Sequence, residues 1–293
     1  MRVGTNAISI GSNYHLWTRT TGTGPTKLLC LHGGPGGTHE IFENFAAKLA
    51  PYHVQVTMYD QLGSYFSESP DWSDPANRTK YLNVAYYVDE VEQVRQALGL
   101  EDFYLLGQSW GGLLAMEYAL KYGDHLKGLV VSSMIDNTAE YTANLEAIRS
   151  QMFSKRALIY MHDVEQRRAY HEPRYQKLLA EFCDHHLHHA RAAQPQHLVS
   201  VMAPTIYHHF CGDNEFVSGG TLTGWDIRDR LGDITIPTYL MVGEHDTMPL
   251  AAIKRMVKTM PQAWYHVTPH AGHGQMLDNP ADYFEHLGAF LTR

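Results

Sequence analysis

The chain has 293 residues, 44% hydrophobic, 11% aromatic and 18% charged, a globular mixture that excludes wholesale disorder and low-complexity scaffolds. Its 23 Lys and Arg against 31 Asp and Glu leave a formal charge of −8, so no bulk attraction draws it to nucleic acid or anionic lipid. Three cysteines, Cys30, Cys183 and Cys211, lack CxxC spacing and read as reduced thiols of a cytoplasmic protein rather than a disulfide framework.

The N-terminal stretch has no apolar core region or small-residue cleavage site, and no run approaches the roughly 20 apolar residues of a membrane span. Val3–Ile10 and His15–Thr20 alternate and predict an antiparallel β-pair. Lys27–His32 is a short apolar run, predicted as a buried strand, and ends in the glycine-rich Gly33–Gly37. A helix over His39–Leu49 and a second buried strand over Val54–Asp60 are expected next. Val84, Val88, Val91, Val94 and Leu98 make one apolar helical face, with Gly99 as the stop. Phe103–Leu106 predicts a strand, Trp110–Tyr122 a helix and Leu126–Met134 another strand. Strands separated by helices imply an α/β fold with a mostly parallel sheet covered on both faces.

From about residue 137 to 224 no clear strand is predicted, only polar helical stretches. The α/β pattern resumes with strands at Ile236–Val242 and Ala263–Val267 and helices at Leu250–Met260 and Ala281–Leu291. We therefore expect a core of residues 1–136 and 225–293 interrupted by a helical cap over 137–224.

Gly107-Gln108-Ser109-Trp110-Gly111-Gly112 joins a predicted strand to a predicted helix, the setting of the G-x-S-x-G nucleophile elbow. A serine on so sharp a turn needs small neighbours two residues away, and Gly107 and Gly111 supply them. Ser109 is thus the expected nucleophile; aspartate-nucleophile chemistry at the elbow is excluded. An oxyanion needs two backbone N–H donors. Trp110 follows the nucleophile, and the loop His32-Gly33-Gly34-Pro35-Gly36-Gly37 offers Gly34 as the second. His32 itself is expected to anchor that loop. The acid should follow the strand after the insertion, where Asp246 is favoured over Glu244. The base should follow the last strand, where His273, flanked by glycines, is favoured over His270. Such chemistry requires neither a metal nor a cofactor.

HGGPGG at 32–37, YDQLGS at 59–64, GQSWGG at 107–112, GEHD at 243–246 and AGH at 271–273 together resemble the proline iminopeptidase (prolyl aminopeptidase) branch of the α/β-hydrolases. The likeness extends to tricorn-interacting aminopeptidases and proline amide hydrolases, and spans the whole predicted core. It implies an α/β-hydrolase fold with an inserted helical cap, and a serine peptidase that releases an N-terminal residue, often proline, from short peptides. Amino-acid amide hydrolysis is the neighbouring alternative, and a carboxylesterase the next. Substrates would carry a free N-terminus; oligomeric state stays open.

The resemblance further implies glutamates that hold the substrate amine. Gly212-Asp213-Asn214-Glu215-Phe216 resembles the cap motif that supplies one, which makes Glu215 the candidate. Many relatives carry a second acidic residue directly after the catalytic aspartate, whereas this chain has Thr247; Glu244 is the substitute candidate. Asp60 is expected to brace its loop. Tyr141, Tyr160, Tyr207 and Phe210 are aromatics of the predicted cap with no individual role assigned.

The chain holds 19 histidines, enough to move the net charge to +11 if all were protonated. Nine (His162, His171, His185, His186, His188, His189, His197, His208 and His209) fall in the predicted cap. His185 and His189 have the i, i+4 spacing of metal ligands, but a solvated polar helix face is the expected reading. A cap gaining positive charge below about pH 6.5 would repel a substrate amine, so acid is expected to weaken activity through the cap as well as through His273.

Overall fold

The computed structural model describes residues 3–11, 13–189 and 201–293. Among the described residues ten strands occur in chain order: β1 (Gly4–Ile10), β2 (Tyr14–Thr21), β3 (Thr26–Leu31), β4 (Val54–Tyr59), β5 (Phe103–Gln108), β6 (Leu126–Ser132), β7 (Gly212–Asn214), β8 (Val217–Ser218), β9 (Thr238–Gly243) and β10 (Ala263–Thr268). Eight form one sheet in the order β1-β2-β4-β3-β5-β6-β9-β10. The β1/β2 and β2/β4 pairs are antiparallel, and every other neighbouring pair is parallel.

The helices are α1 (Phe45–Lys48), α2 (Pro75–Tyr81), α3 (Val84–Leu98), α4 (Trp110–Tyr122), α5 (Thr138–Met152), α6 (Lys155–Gln166), α7 (Pro173–His186), α8 (Pro204–Phe210), α9 (Leu250–Thr259), α10 (Gln275–Asp278) and α11 (Pro280–Leu291). Asn83 caps α3 by accepting from the Tyr86 N–H, and Gly99 ends it in a left-handed conformation at φ 61°. Only a residue without Cβ adopts that angle at little cost.

Strand alternation divides the core into two layers. Leu29, Leu31, Leu105 and Val131 face α3, α4 and α9, joining Val91, Leu113 and Ile253. Leu28, Cys30, Leu106 and Val130 face the other side and pack with Phe45, Phe284 and Leu287 from α1 and α11. Apolar residues on both faces of the inner strands are what a parallel sheet covered twice requires.

Two expectations are corrected. The helix expected over His39–Leu49 is a 3-10 turn, His39–Phe42, followed by the one-turn α1. The Glu43 N–H donates to the Glu40 carbonyl only three residues back, at 3.2 Å, which tightens this turn to 3-10 geometry. The stretch expected to lack strands contains the β7/β8 hairpin, whose turn carries Glu215 and Phe216. Three and two residues are too short to show a period of two.

Helices α5 to α7 enclose a small apolar cluster of their own, including Leu145, Met161, Tyr175, Phe182 and Phe216. The chain passes into α5 just beyond Asp136 and comes back toward the sheet at Ile227, and these points touch. The Ile227 N–H donates to the Asp136 carbonyl at 3.0 Å, the Thr138 N–H to the Trp225 carbonyl at 3.0 Å, and Asn137 pairs with Asp226 as an isolated bridge. Arg255 of α9 locks this junction, reaching Asp136 and Glu140 at 2.8 Å each.

Candidate active site

Ser109 lies between β5 and α4 with φ 55° and ψ −121°, a strained combination for a side chain with Cβ. Its neighbours permit the turn. A Cβ on Gly107 would sit 1.9 Å from the Gly111 carbonyl oxygen, and one on Gly111 would sit 2.1 Å from that of Leu31. The Ser109 N–H donates to the Ser132 carbonyl at 2.9 Å, which ties the turn to β6. Ser109 therefore stands proud of the sheet at the N-terminus of α4, where the helix dipole favours negative charge.

The loop after β3 runs beside it. A Cβ on Gly33 would come within 3.2 Å of the Ser109 Cβ, and Gly34 has φ +118°, which requires glycine. Trp110 is the first residue of α4, so its N–H has no intrahelical acceptor. Gly34 and Trp110 line the same cavity as Ser109. His32 Nε2 accepts from the Gln61 N–H at 3.0 Å and its Nδ1 lies 2.9 Å from the Gly33 carbonyl. Burial pushes its pKa down, so it anchors the loop as a neutral ring. Asp60 braces the adjoining loop: Oδ1 accepts from the His39 N–H and lies 2.8 Å from its ring, and Oδ2 accepts from the Phe66 N–H.

His273 Nδ1 lies 2.9 Å from Asp246 Oδ1. The Asp246 side chain is inaccessible to solvent, and Oδ1 also accepts from the Met248 N–H and the Thr247 hydroxyl. Its contact fixes the His273 tautomer, leaving Nε2 as the nitrogen free to serve as base. The His273 carbonyl accepts from the side chains of Gln108 and Ser133, both at 2.9 Å. Burial lowers the His273 pKa, but the charges of Asp246 and Glu215 outweigh it and the net direction is upward. His270 is 85% exposed at its side chain and close to Glu244, away from this arrangement.

Ser109 and His273 open into a cavity of about 390 Å³. Leu113, Met134, Leu222 and Met248 give it apolar walls, and Tyr141, Tyr207 and Phe210 supply aromatic faces. Tyr160 is not among the lining residues; its hydroxyl donates to Glu172 instead. Cys211 also faces the cavity, but burial and then the Glu215 charge push its thiol up to about 12, which removes it as a nucleophile at neutral pH.

Glu215 is the one carboxylate among the described residues lining this cavity. Its Oε1 accepts from the Tyr207 hydroxyl at 2.8 Å. The hairpin beneath it is held from below. Asn214 donates to the Tyr175 hydroxyl, Tyr175 donates to Glu165, and the buried Arg149 pairs with Glu165 at 2.7 Å. The Arg149 guanidinium also lies 4.5 Å over the Phe216 ring. Glu244 is placed differently from its expected role. It is half-exposed and accepts from the His270 N–H at 2.9 Å, so it caps a surface turn and does not line the cavity.

The sequence did not single out His186. Its carbonyl accepts from the His273 N–H at 2.7 Å, and its ring Nδ1 lies 2.7 Å from the His245 carbonyl, next to Asp246. One residue of α7 thus touches both loops of the His–Asp pair. Gly272 makes room for it, since a Cβ there would sit 2.4 Å from the His186 oxygen. Burial lowers the His186 pKa, so this cap histidine resists protonation and does not join the expected acid-charged face. His189 stacks on His245 with ring centroids 4.4 Å apart, and its Nδ1 lies 3.1 Å from the His185 carbonyl. The cluster expected to be a solvated face is in part a docking surface for α7. His197 lies outside the described residues.

Fold and site together define an α/β hydrolase, and residues 27–280 match the family described as the alpha/beta hydrolase fold. A proline iminopeptidase of Elizabethkingia meningoseptica is 36% identical over 289 residues, covering 95% of this chain and 94% of the relative. One of Flavobacterium johnsoniae is 37% identical over 287 residues, with 95% and 94% covered. The crystal structure of proline iminopeptidase from Mycobacterium smegmatis superposes with a TM-score of 0.87 at 29% identity, over 98% of this chain and 97% of that one. The chain belongs to the proline iminopeptidase family.

No helix among the described residues is long and apolar enough to cross a membrane.

Proposed function

We propose that the protein is a serine aminopeptidase that releases an N-terminal residue, preferentially proline, from short peptides through an acyl-enzyme. Relatives 36% and 37% identical over 95% of the chain carry the name proline iminopeptidase. The observation that carries the chemistry is a single cavity holding Ser109, His273 and one carboxylate, Glu215.

In this reading His273 Nε2 takes the Ser109 proton as Oγ attacks the scissile carbonyl. Asp246 holds the imidazole and stabilises its cation. The N–H groups of Gly34 and Trp110 receive the oxyanion. His273 returns the proton to the leaving amine, and water then reverses the sequence to free the residue. Glu215 pairs with the protonated N-terminus of the substrate. A second residue N-terminal to the scissile one would replace that charge with a neutral amide and leave the carboxylate unpaired, which enforces release of one residue at a time. Residues 1–136 and 225–293 act as the catalytic core, and 137–224 as a cap that closes the cavity and presents Glu215.

Short peptides or amino-acid amides with free N-termini are the proposed substrates. We place the protein in the cytoplasm, where cysteines outside disulfides, as Cys30, Cys183 and Cys211 are, stay reduced. Hydrolysis of proline arylamide, proline amide and N-acetylproline arylamide tests the reading. Fast turnover of the first and loss on acetylation is the expected pattern. Equal rates on the free and acetylated arylamides would remove the amine anchor and favour an esterase or general amidase. A strong preference for proline amide would shift the assignment to amide hydrolysis.

A further inference from the structure

A second constellation lies on the edge of the sheet. His266 is on β10, the last strand, and Asp282 and His286 stand at i, i+4 on α11, which packs beside it. Helical i, i+4 spacing puts both side chains on one face, and the strand brings the third group to meet them. His266 Nε2 lies 2.5 Å from Asp282 Oδ2, and His286 Nε2 lies 3.7 Å from Asp282 Oδ1. The two imidazole rings are 3.6 Å apart between centroids, and the potential ligand atoms all fall within 4.8 Å of one another.

We propose that His266, Asp282 and His286 form a site for a divalent transition ion, with Zn2+ as the ion tested. Two imidazole nitrogens and one carboxylate are a borderline donor set, which selects zinc-like ions over Mg2+ or Ca2+. Tetrahedral bonds of about 2.0–2.1 Å place ligand atoms roughly 3.3 Å apart. The observed separations of 2.5 and 3.7 Å, to the two Asp282 oxygens, lie on either side of that value, and every pair of ligand atoms falls within 4.8 Å. All three groups are partly exposed, at 18%, 24% and 40%, which leaves an entry path and a fourth position for water. The site would staple the last helix to the last strand, just before the loop that carries His273. It uses none of the groups assigned to catalysis.

The cap cluster is the competing location. His189 is stacked on His245, with its Nδ1 at the His185 carbonyl, so those rings are turned to other partners. The test is titration of the tag-free protein with Zn2+ by calorimetry, together with the visible spectrum of the Co2+ form. One equivalent of either ion should bind, and binding should weaken about tenfold or more in His266→Ala and in His286→Gln. His185→Ala should bind as the parent does. Circular dichroism of each variant separates lost ligation from lost folding, and the exposed His286 makes its variant the safer one. Absence of saturable binding by the folded parent would overturn the proposal, as would undiminished binding in both folded variants or loss of binding in His185→Ala alone.

Discussion

The sheet and the cap hold their functional atoms by different means. On the sheet side the backbone does most of the work. Ser109 is placed by a turn that only Gly107 and Gly111 permit, the Asp246 carboxylate accepts a main-chain N–H, and the His273 carbonyl and N–H are both bonded. In the cap, Glu215 is placed by side chains: Tyr207 directly, and Asn214, Tyr175, Glu165 and Arg149 through the hairpin. Main-chain placement leaves few ways to err, which suits the bond-making roles proposed for Ser109 and His273. Side-chain placement can be re-tuned one residue at a time, which suits the selecting role proposed for Glu215.

Substitutions on the two sides should therefore fail differently. Ser109→Ala should lower kcat about 10⁴-fold or more with every substrate, while thermal unfolding stays near that of the parent. A variant retaining a tenth of the activity would place the nucleophile elsewhere. Glu215→Gln keeps the acceptor for Tyr207 but removes the charge. Its kcat/KM should fall about 10²-fold on free-amine arylamides and change little on acetylated ones. A uniform loss on both would make Glu215 part of the catalytic machinery rather than of selection.

The pH profile sharpens the same division. In the proposed mechanism His273 must be neutral to act as base, and Asp246 and Glu215 hold its pKa above the ordinary histidine value despite burial. The rate on the acidic side should thus fall about tenfold per pH unit, with a midpoint above about 6.5. Glu215→Gln removes one of the charges responsible and should move that midpoint downward. An unmoved midpoint, read from single-turnover rates, would separate Glu215 electrically from the base. The smallest effect is expected at the junction. His186→Ala loses one hydrogen bond to the Asp246 loop but keeps its carbonyl on His273. It should lower kcat about fivefold with KM nearly unchanged, and His186→Gln should restore part of the loss.

The same contrast explains what the sequence revealed. The elbow, the glycine-rich loop and the order of strands were legible because backbone sterics fix their residue types and spacings. Gly107, Gly111 and Gly34 are each required by a contact or a positive φ. The cap offered no such regularity. Arg149, Glu165, Tyr175 and Asn214 meet across a span of 65 positions with no periodic spacing. His186 looked like one member of a polar run, because nothing local records that its carbonyl lies against His273. Glu244 stood next to the right strand, yet its side chain turns to the surface N–H of His270.

The junction at Asp136 and Ile227 has a consequence for how this chain tolerates change. The bridge between Asn137 and Asp226 and the two flanking hydrogen bonds already bring the ends of a long loop together. In polymer terms the closure entropy of such a loop grows only with the logarithm of its length, about 0.6 kcal/mol for each doubling. What hangs beyond this clasp can change length at little entropic cost to closure, provided α7 keeps His186 against the His273 loop. If Glu215 selects the substrate as proposed, that selection can drift there while the sheet stays still.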